Sequence, residues 1–289
     1  MKTFLATILF LTSILNLNAH PNTNPETLTE QGLDQLINKA TRQNMLCLRI
    51  AKCYFAVGMN IEPKFYQLQL ADATSTYKKQ ITDLKMAAPT PEIQEGFREL
   101  EILFADYERL TSTTVERANA QEVLTVADQL TNLCNKMVGE LSAIANALPQ
   151  NLNGKINNKE YTSLLMMVGD NRMLTQRVPL LYLANLWEIN TESNKAQIDE
   201  MLVAFSRNLQ EIQKITQNTS TINEYIFTVM GEWRFVAESC MYWEEQNRAE
   251  AFRLLEKSDV AANSIHKLAG LYEKLFNLDA GSLSNQGKN

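Results

Sequence analysis

The chain has 289 residues, 45% of them hydrophobic and 21% charged, with a formal net charge of −6 at pH 7. That modestly acidic balance, with no basic stripe anywhere, argues against nucleic acid or an anionic membrane as partner. Ten glycines and no alternating β pattern make the chain all-α.

Met1-Lys2 supplies a short basic end, Phe4 to Leu15 an apolar segment, and Leu17-Asn-Ala19 a cleavage end, so residues 1 to 19 read as a secretory signal peptide. Its removal takes Lys2 and leaves −7. The protein is therefore expected in the periplasm. The segment is too short to span a bilayer, and no later apolar run is longer, so the mature chain is expected to carry no transmembrane segment. His20 to Pro25 forms a polar leader. A first helix is expected from about Thr29 to Asn60, ended by Ile61-Glu-Pro63, and a second from about Lys64 to Ala87. Ala88-Pro-Thr-Pro-Glu92 is a turn in which Thr90 can cap and Pro91 can open the third helix. Thr113 or Thr114 restarts the chain into a fourth, reaching about Leu148. Pro149 to Asn158 is a turn-rich joint. Four more helices are expected beyond it: Lys159 to Ile189, Ser193 to Gln217, a third opened by the capping box Thr221-Ile-Asn-Glu224, and a fourth from about Gln246 to Phe276. The tail from Asp279 to Asn289 is small and polar and is expected to fray.

Two stretches organise this series. Val168-Gly-Asp-Asn-Arg-Met-Leu-Thr-Gln-Arg-Val-Pro179 has a degenerate twin in Ala40-Thr-Arg-Gln-Asn-Met-Leu-Cys-Leu-Arg-Ile-Ala51, at a constant offset of 128 residues. A period of that length suits two tandem bundles of about four helices each, residues 28–149 and 158–278. In the first copy an inward stripe runs Leu33, Ile37, Ala40, Cys47, Ala51, Tyr54 and Gly58, with Asn44 as its polar member. In the second it runs Tyr161, Leu165, Val168, Thr175, Pro179, Tyr182 and Leu186, and the polar member is Arg172. A guanidinium placed mid-stripe must find a partner, because an unpaired buried charge is very costly. Asp170 and Glu232 are carboxylates that could supply one. Arg49 and Arg177 lie off the stripes and read as salt-bridge residues. Pro179 leaves the carbonyl of Thr175 without its helical donor, which either kinks the helix beside Arg172 or is simply tolerated.

These words resemble the motif of the PilJ-type sensory domain, the extracytoplasmic part of type IV pili methyl-accepting chemotaxis transducers, which is similar to the NarX-like nitrate and nitrite sensors. The resemblance implies a four-helix bundle whose first helix carries the motif, with an arginine just before the methionine contacting an anion between two such helices. By position that arginine is Arg172 in the second copy and is replaced by Asn44 in the first, while Arg49 and Arg177 share the second motif position. The resemblance thus implies Arg172, Asn44, Arg177 and Arg49 as ligand-binding residues. Copy one departs at Thr41, where the family favours glycine, and at Cys47-Leu48, where it favours a polar pair.

Cys47 and Cys53 lie six residues apart on one helix, about 600° around it, and should not pair with each other. A bridge from the first helix to Cys134 is sterically open, but buried free thiols are the commoner state, and the same holds for Cys240. No spacing suits a metal, the only histidines are His20 and His266, and no cofactor or enzymatic constellation is present. Two functional classes remain. One is an exported sensory or ligand-binding module for a small oxyanion or a membrane-bound signalling protein. The other is a helical scaffold that kept the fold and binds no ligand.

Overall fold

A computed structural model describes residues 30–148, 158–241 and 247–284 of the chain, and there it is all-α, with eight helices and no strand. The helices are α1 (Glu30–Gly58), α2 (Pro63–Met86), α3 (Pro91–Thr111), α4 (Arg117–Ala147), α5 (Asn158–Leu186), α6 (Thr191–Gln213), α7 (Ser220–Met241) and α8 (Arg248–Ser284). None of them is long and apolar enough to cross a membrane. The expected signal peptide, the leader and residues 149–157 of the joint lie outside the described residues.

Local chemistry accounts for the boundaries. Thr90 takes an extended conformation and its Oγ1 accepts from the Ile93 amide at 3.3 Å, with Pro91 at the first helical position and Glu92 in the first turn, so α3 starts where its cap dictates. At α7 the capping residue differs from the expected one: Thr219, not Thr221, accepts from the amide three residues on, that of Ile222 at 3.2 Å. Ser220 and Thr221 then fall inside the first turn. Pro179 is buried within α5, which continues across it to Leu186. α8 runs on to Ser284, beyond the end expected near Phe276.

The turn that ends α1 recurs at the end of α5. Asn60 is left-handed with φ 56° and Ile61 N donates to Ala56 O at 2.9 Å, while Asn60 N donates to Val57 O at 2.9 Å. This is the Schellman pattern, in which a left-handed residue folds the chain back onto the helix's last free carbonyls. At α5, Glu188 has φ 57°, Ile189 N donates to Ala184 O at 2.8 Å, and Glu188 N donates to Asn185 O at 2.9 Å. Glu62 and Asn190, the residues just before α2 and α6, are both left-handed as well.

α1 and α5 form the centre of the molecule and run parallel. Near their starts Gly169 lies against Thr41, and near their ends Gly58 lies against Trp187, whose ring centroid is 5.2 Å from that of Phe55. α4 packs antiparallel to α1: Asn44 meets Asn135 and Cys47 meets Thr131. α8 packs antiparallel to α5 and reaches α1 through Lys52–Asp259 and Asn38–Glu273. α2 and α3 close one side, where Tyr77 and Phe104 stack at 3.8 Å, and α6 and α7 close the other, where Phe205 and Trp233 stack at 3.7 Å. With neighbours on three sides α1 is buried almost all round, Leu46, Leu48, Ile50, Cys53 and Phe55 joining the expected stripe in the core. All four cysteines are free and buried, and burial pushes the thiols of Cys47 and Cys53 up to about 12.

The α1–α5 approach depends on Gly169. A Cβ there would sit 2.6 Å from Cβ of Thr41, closer than packed carbons tolerate, and neither backbone can move without disturbing the helices packed on it. Gly169→Ala should therefore destabilise the fold by about 1–3 kcal/mol. An unchanged thermal melt would mean that the two helices separate at no cost.

Candidate functional site

Each of the four residues that the motif singles out bonds to a neighbouring helix, and Arg172 alone among them keeps a buried N–H donor without a partner. Asn44 is buried, but it faces α4: its Nδ2 donates to Asn135 Oδ1 at 2.5 Å, away from Arg172. Arg49 donates to Gln69 Oε1 of α2 at 2.7 and 3.1 Å, a neutral acceptor where a salt bridge was expected. Arg177 pairs with Asp128 of α4, the ion pair its off-stripe position suggested. Among the described residues no hydrogen bond or ion pair joins any of these three to Arg172.

Arg172 is 4% exposed, on the α5 face that meets α1 and α8. Helical side chains lean toward the N-terminus of their helix, so the guanidinium reaches back along α1 to Asn38, six residues short of the position that the repeat would pair with it. Nη1 donates to Asn38 Oδ1 at 2.6 Å, Nη2 lies 3.5 Å from His266 Nδ1 of α8, and Nε is buried without a partner. Asn38 in turn donates to Glu273 of α8. Among the described residues no carboxylate forms an ion pair with Arg172. Asp170 does not reach it, and Glu232 instead accepts from Ser264 Oγ at 3.0 Å.

A second guanidinium stands nearby. Arg42 of α1 is half-buried, its Nε also lacks a partner, and it is close enough to disfavour positive charge on both Arg172 and His266. Burial lowers the Arg172 guanidinium to about 10, Glu273 opposes that shift, and Arg42 adds to it. His266 lies at the rim with its outer side exposed; burial of its inner side, then Arg172, then Arg42, hold the imidazole below its ordinary value. With a guanidinium beside it, Nδ1 acts as the acceptor, since a guanidinium can only donate. The cluster thus gathers two cations with unused N–H donors, a neutral imidazole and an amide, offset by one carboxylate. Such a group is matched to a planar or tetrahedral oxyanion.

Arg42, Asn38, His266 and Glu273 were not singled out by the motif. Arg42 stands inside it, yet its counterpart at the repeat offset is Asp170, so the comparison of copies hid it. His266 and Glu273 come from a helix far along the chain. Among the described residues there is no group of three His, Cys, Asp or Glu side chains that could hold a metal ion. An open groove of about 500 Å³ between α6 and α7, lined by Leu202, Val203, Arg207, Cys240 and Met241 among others, shares no residue with the Arg172 cluster. Comparison of the chain with family models, with curated proteins and with solved structures finds no match.

Proposed function

We propose that the chain is an exported, periplasmic sensory or ligand-binding module of two PilJ-like halves, residues 28–149 and 158–278. It takes a small oxyanion such as nitrate or nitrite at Arg172 and passes its state to a membrane-bound signalling protein. The observation that carries the reading is the buried guanidinium of Arg172, which touches no carboxylate and keeps Nε unused. A structural arginine would have been satisfied by its own fold, because an uncompensated buried charge is costly. The two-half organisation is supported by the matching turns after α1 and α5, whose left-handed residues and hydrogen bonds recur at the same offset of 128 as the motif. The PilJ resemblance and the export segment rest on the sequence alone.

A scaffold that binds no ligand is favoured by a different observation: Asn44, Arg49 and Arg177 all serve to tie helices together. Thermal shift separates the two. Nitrate and nitrite, titrated against matched chloride, should raise the melting temperature of the purified protein in a saturable way, since a ligand at 100 times its dissociation constant adds about 2.7 kcal/mol. A flat response to every small oxyanion would leave the scaffold.

A further inference from the structure

We propose that the site takes its oxyanion together with a proton, the anion lodging between the guanidinium groups of Arg42 on α1 and Arg172 on α5 while His266 on α8 becomes protonated. This rests on the oxyanion reading above and adds two residues and a pH dependence to it. Three features of the geometry support it. Both arginines keep a buried Nε without an acceptor, and Arg42 stands one helical turn beyond Asn38, which Arg172 contacts, so two donors from different helices belong to one cluster. His266 is the exposed member of the cluster, so it is the side of the cluster that a solute and a proton from solvent meet first. The 3.5 Å contact between Arg172 Nη2 and His266 Nδ1 is at the long limit of a hydrogen bond, weak enough to be exchanged for two charge-assisted ones.

The charges that face His266 come from each element around it. Arg42 stands on α1, with Asn38 as a neutral neighbour; Arg172 stands on α5; Glu273 lies two turns further along α8 and is held by Asn38; and Glu232 of α7 is turned to Ser264. Before an anion binds, the two guanidinium groups oppose a third positive charge, so the imidazole stays neutral and Nδ1 accepts from Arg172. An incoming oxyanion accepts from both arginines and cancels that repulsion. Nδ1 can then take a proton from solvent and donate it as a hydrogen bond to the anion. One anion and one proton enter, and no covalent bond changes.

The sign follows from linkage. The unliganded imidazole titrates below its ordinary value and the liganded one above it, so between those two values each fall of one pH unit should tighten binding by up to about tenfold. Above that window the anion binds without a proton, and below it the imidazole is already charged; affinity is flat in both ranges. Nitrate is the probe of choice because it does not itself titrate there.

Isothermal titration of nitrate into the purified protein from pH 5.5 to 8.5, in pairs of buffers with different ionisation enthalpies, tests this. The expected result is a dissociation constant that decreases as the pH is lowered and a buffer-dependent heat approaching one proton taken up per anion. His266→Gln should bind with an affinity independent of pH and buffer, and Arg42→Gln should weaken binding at least about tenfold throughout, the scale of one charge-assisted hydrogen bond. Saturable nitrate binding without proton uptake would overturn the inference and leave the oxyanion function standing. Proton uptake that persists in His266→Gln would overturn it too. An absence of nitrate heat at every pH would remove nitrate binding and the inference together.

Discussion

Asp259→Ala is expected to cost about 3–5 kcal/mol of stability, because it strands the ammonium of Lys52 inside the protein. Lys52 is 0% exposed in its side chain and its Nζ donates to Asp259 Oδ1 at 2.5 Å, bridging α1 to α8. Among the described residues the other attraction in view is the ring of Tyr66, 6.0 Å from Nζ, a cation–π contact worth about 2 kcal/mol when desolvated. The two partners are not equivalent. Asp259 keeps 19% of its side chain in solvent and accepts from Tyr66 Oη at 3.4 Å, so Lys52→Met leaves a carboxylate that water can still reach. That variant should lose clearly less than Asp259→Ala. The pair of changes together should recover much of the loss, since a buried ion pair replaced by apolar groups is often close to neutral. Urea unfolding of the three variants checks the order. Equal losses for the two single variants would show that the ammonium is not the costly partner.

How much of this architecture is legible in the sequence depends on how local its causes are. Helix identity follows from periodicity, and α3 follows from a cap and a proline that act within four residues. The inward stripes place Leu33, Ile37, Ala40, Asn44, Cys47, Ala51 and Tyr54 correctly in the core, as they do Tyr161, Leu165, Val168, Arg172 and Thr175. A single stripe cannot reveal that α1 is enclosed by several helices, α8 among them, which is why Lys52, on another side of the helix, comes as a buried residue without warning. The recurring turn was within reach: Ala56 and Ala184, and Ile61 and Ile189, are identical at the motif's own offset. The site was legible only in Arg172. Pairing Arg172 with Asn44 assumes that equivalent positions face one another, and Thr41 against Gly169 does obey that rule. The long arginine side chain does not, because it leans one to two turns toward its helix N-terminus and meets Asn38.

Arg172→Met should abolish the nitrate response while leaving the unliganded protein nearly as stable as before. A structural arginine behaves in the opposite way, since its loss strands a carboxylate and costs the empty fold about 3–5 kcal/mol. Here the nearest carboxylate, Glu273, keeps its bond from Asn38 when Arg172 is gone, and removal of a guanidinium held down to about 10 by burial also relieves its repulsion with Arg42. The thioether chain fills much of the same volume, so the apolar packing of the stem is largely kept. The melting temperature without anion should therefore stay close to that of the wild type, or rise. With nitrate the difference is large: truncating one member of a buried, charge-assisted contact costs about 2–5 kcal/mol of binding, enough to carry a weak anion complex out of range. Asn44→Ala supplies the contrast. Its one N–H-bearing group, Nδ2, is committed to Asn135 on α4, so the anion response should match the wild type even though the melting temperature falls. Melts of both variants with and without nitrate read the two effects separately. A large loss in unliganded Arg172→Met, or an anion response that survives it, would move the function away from this guanidinium.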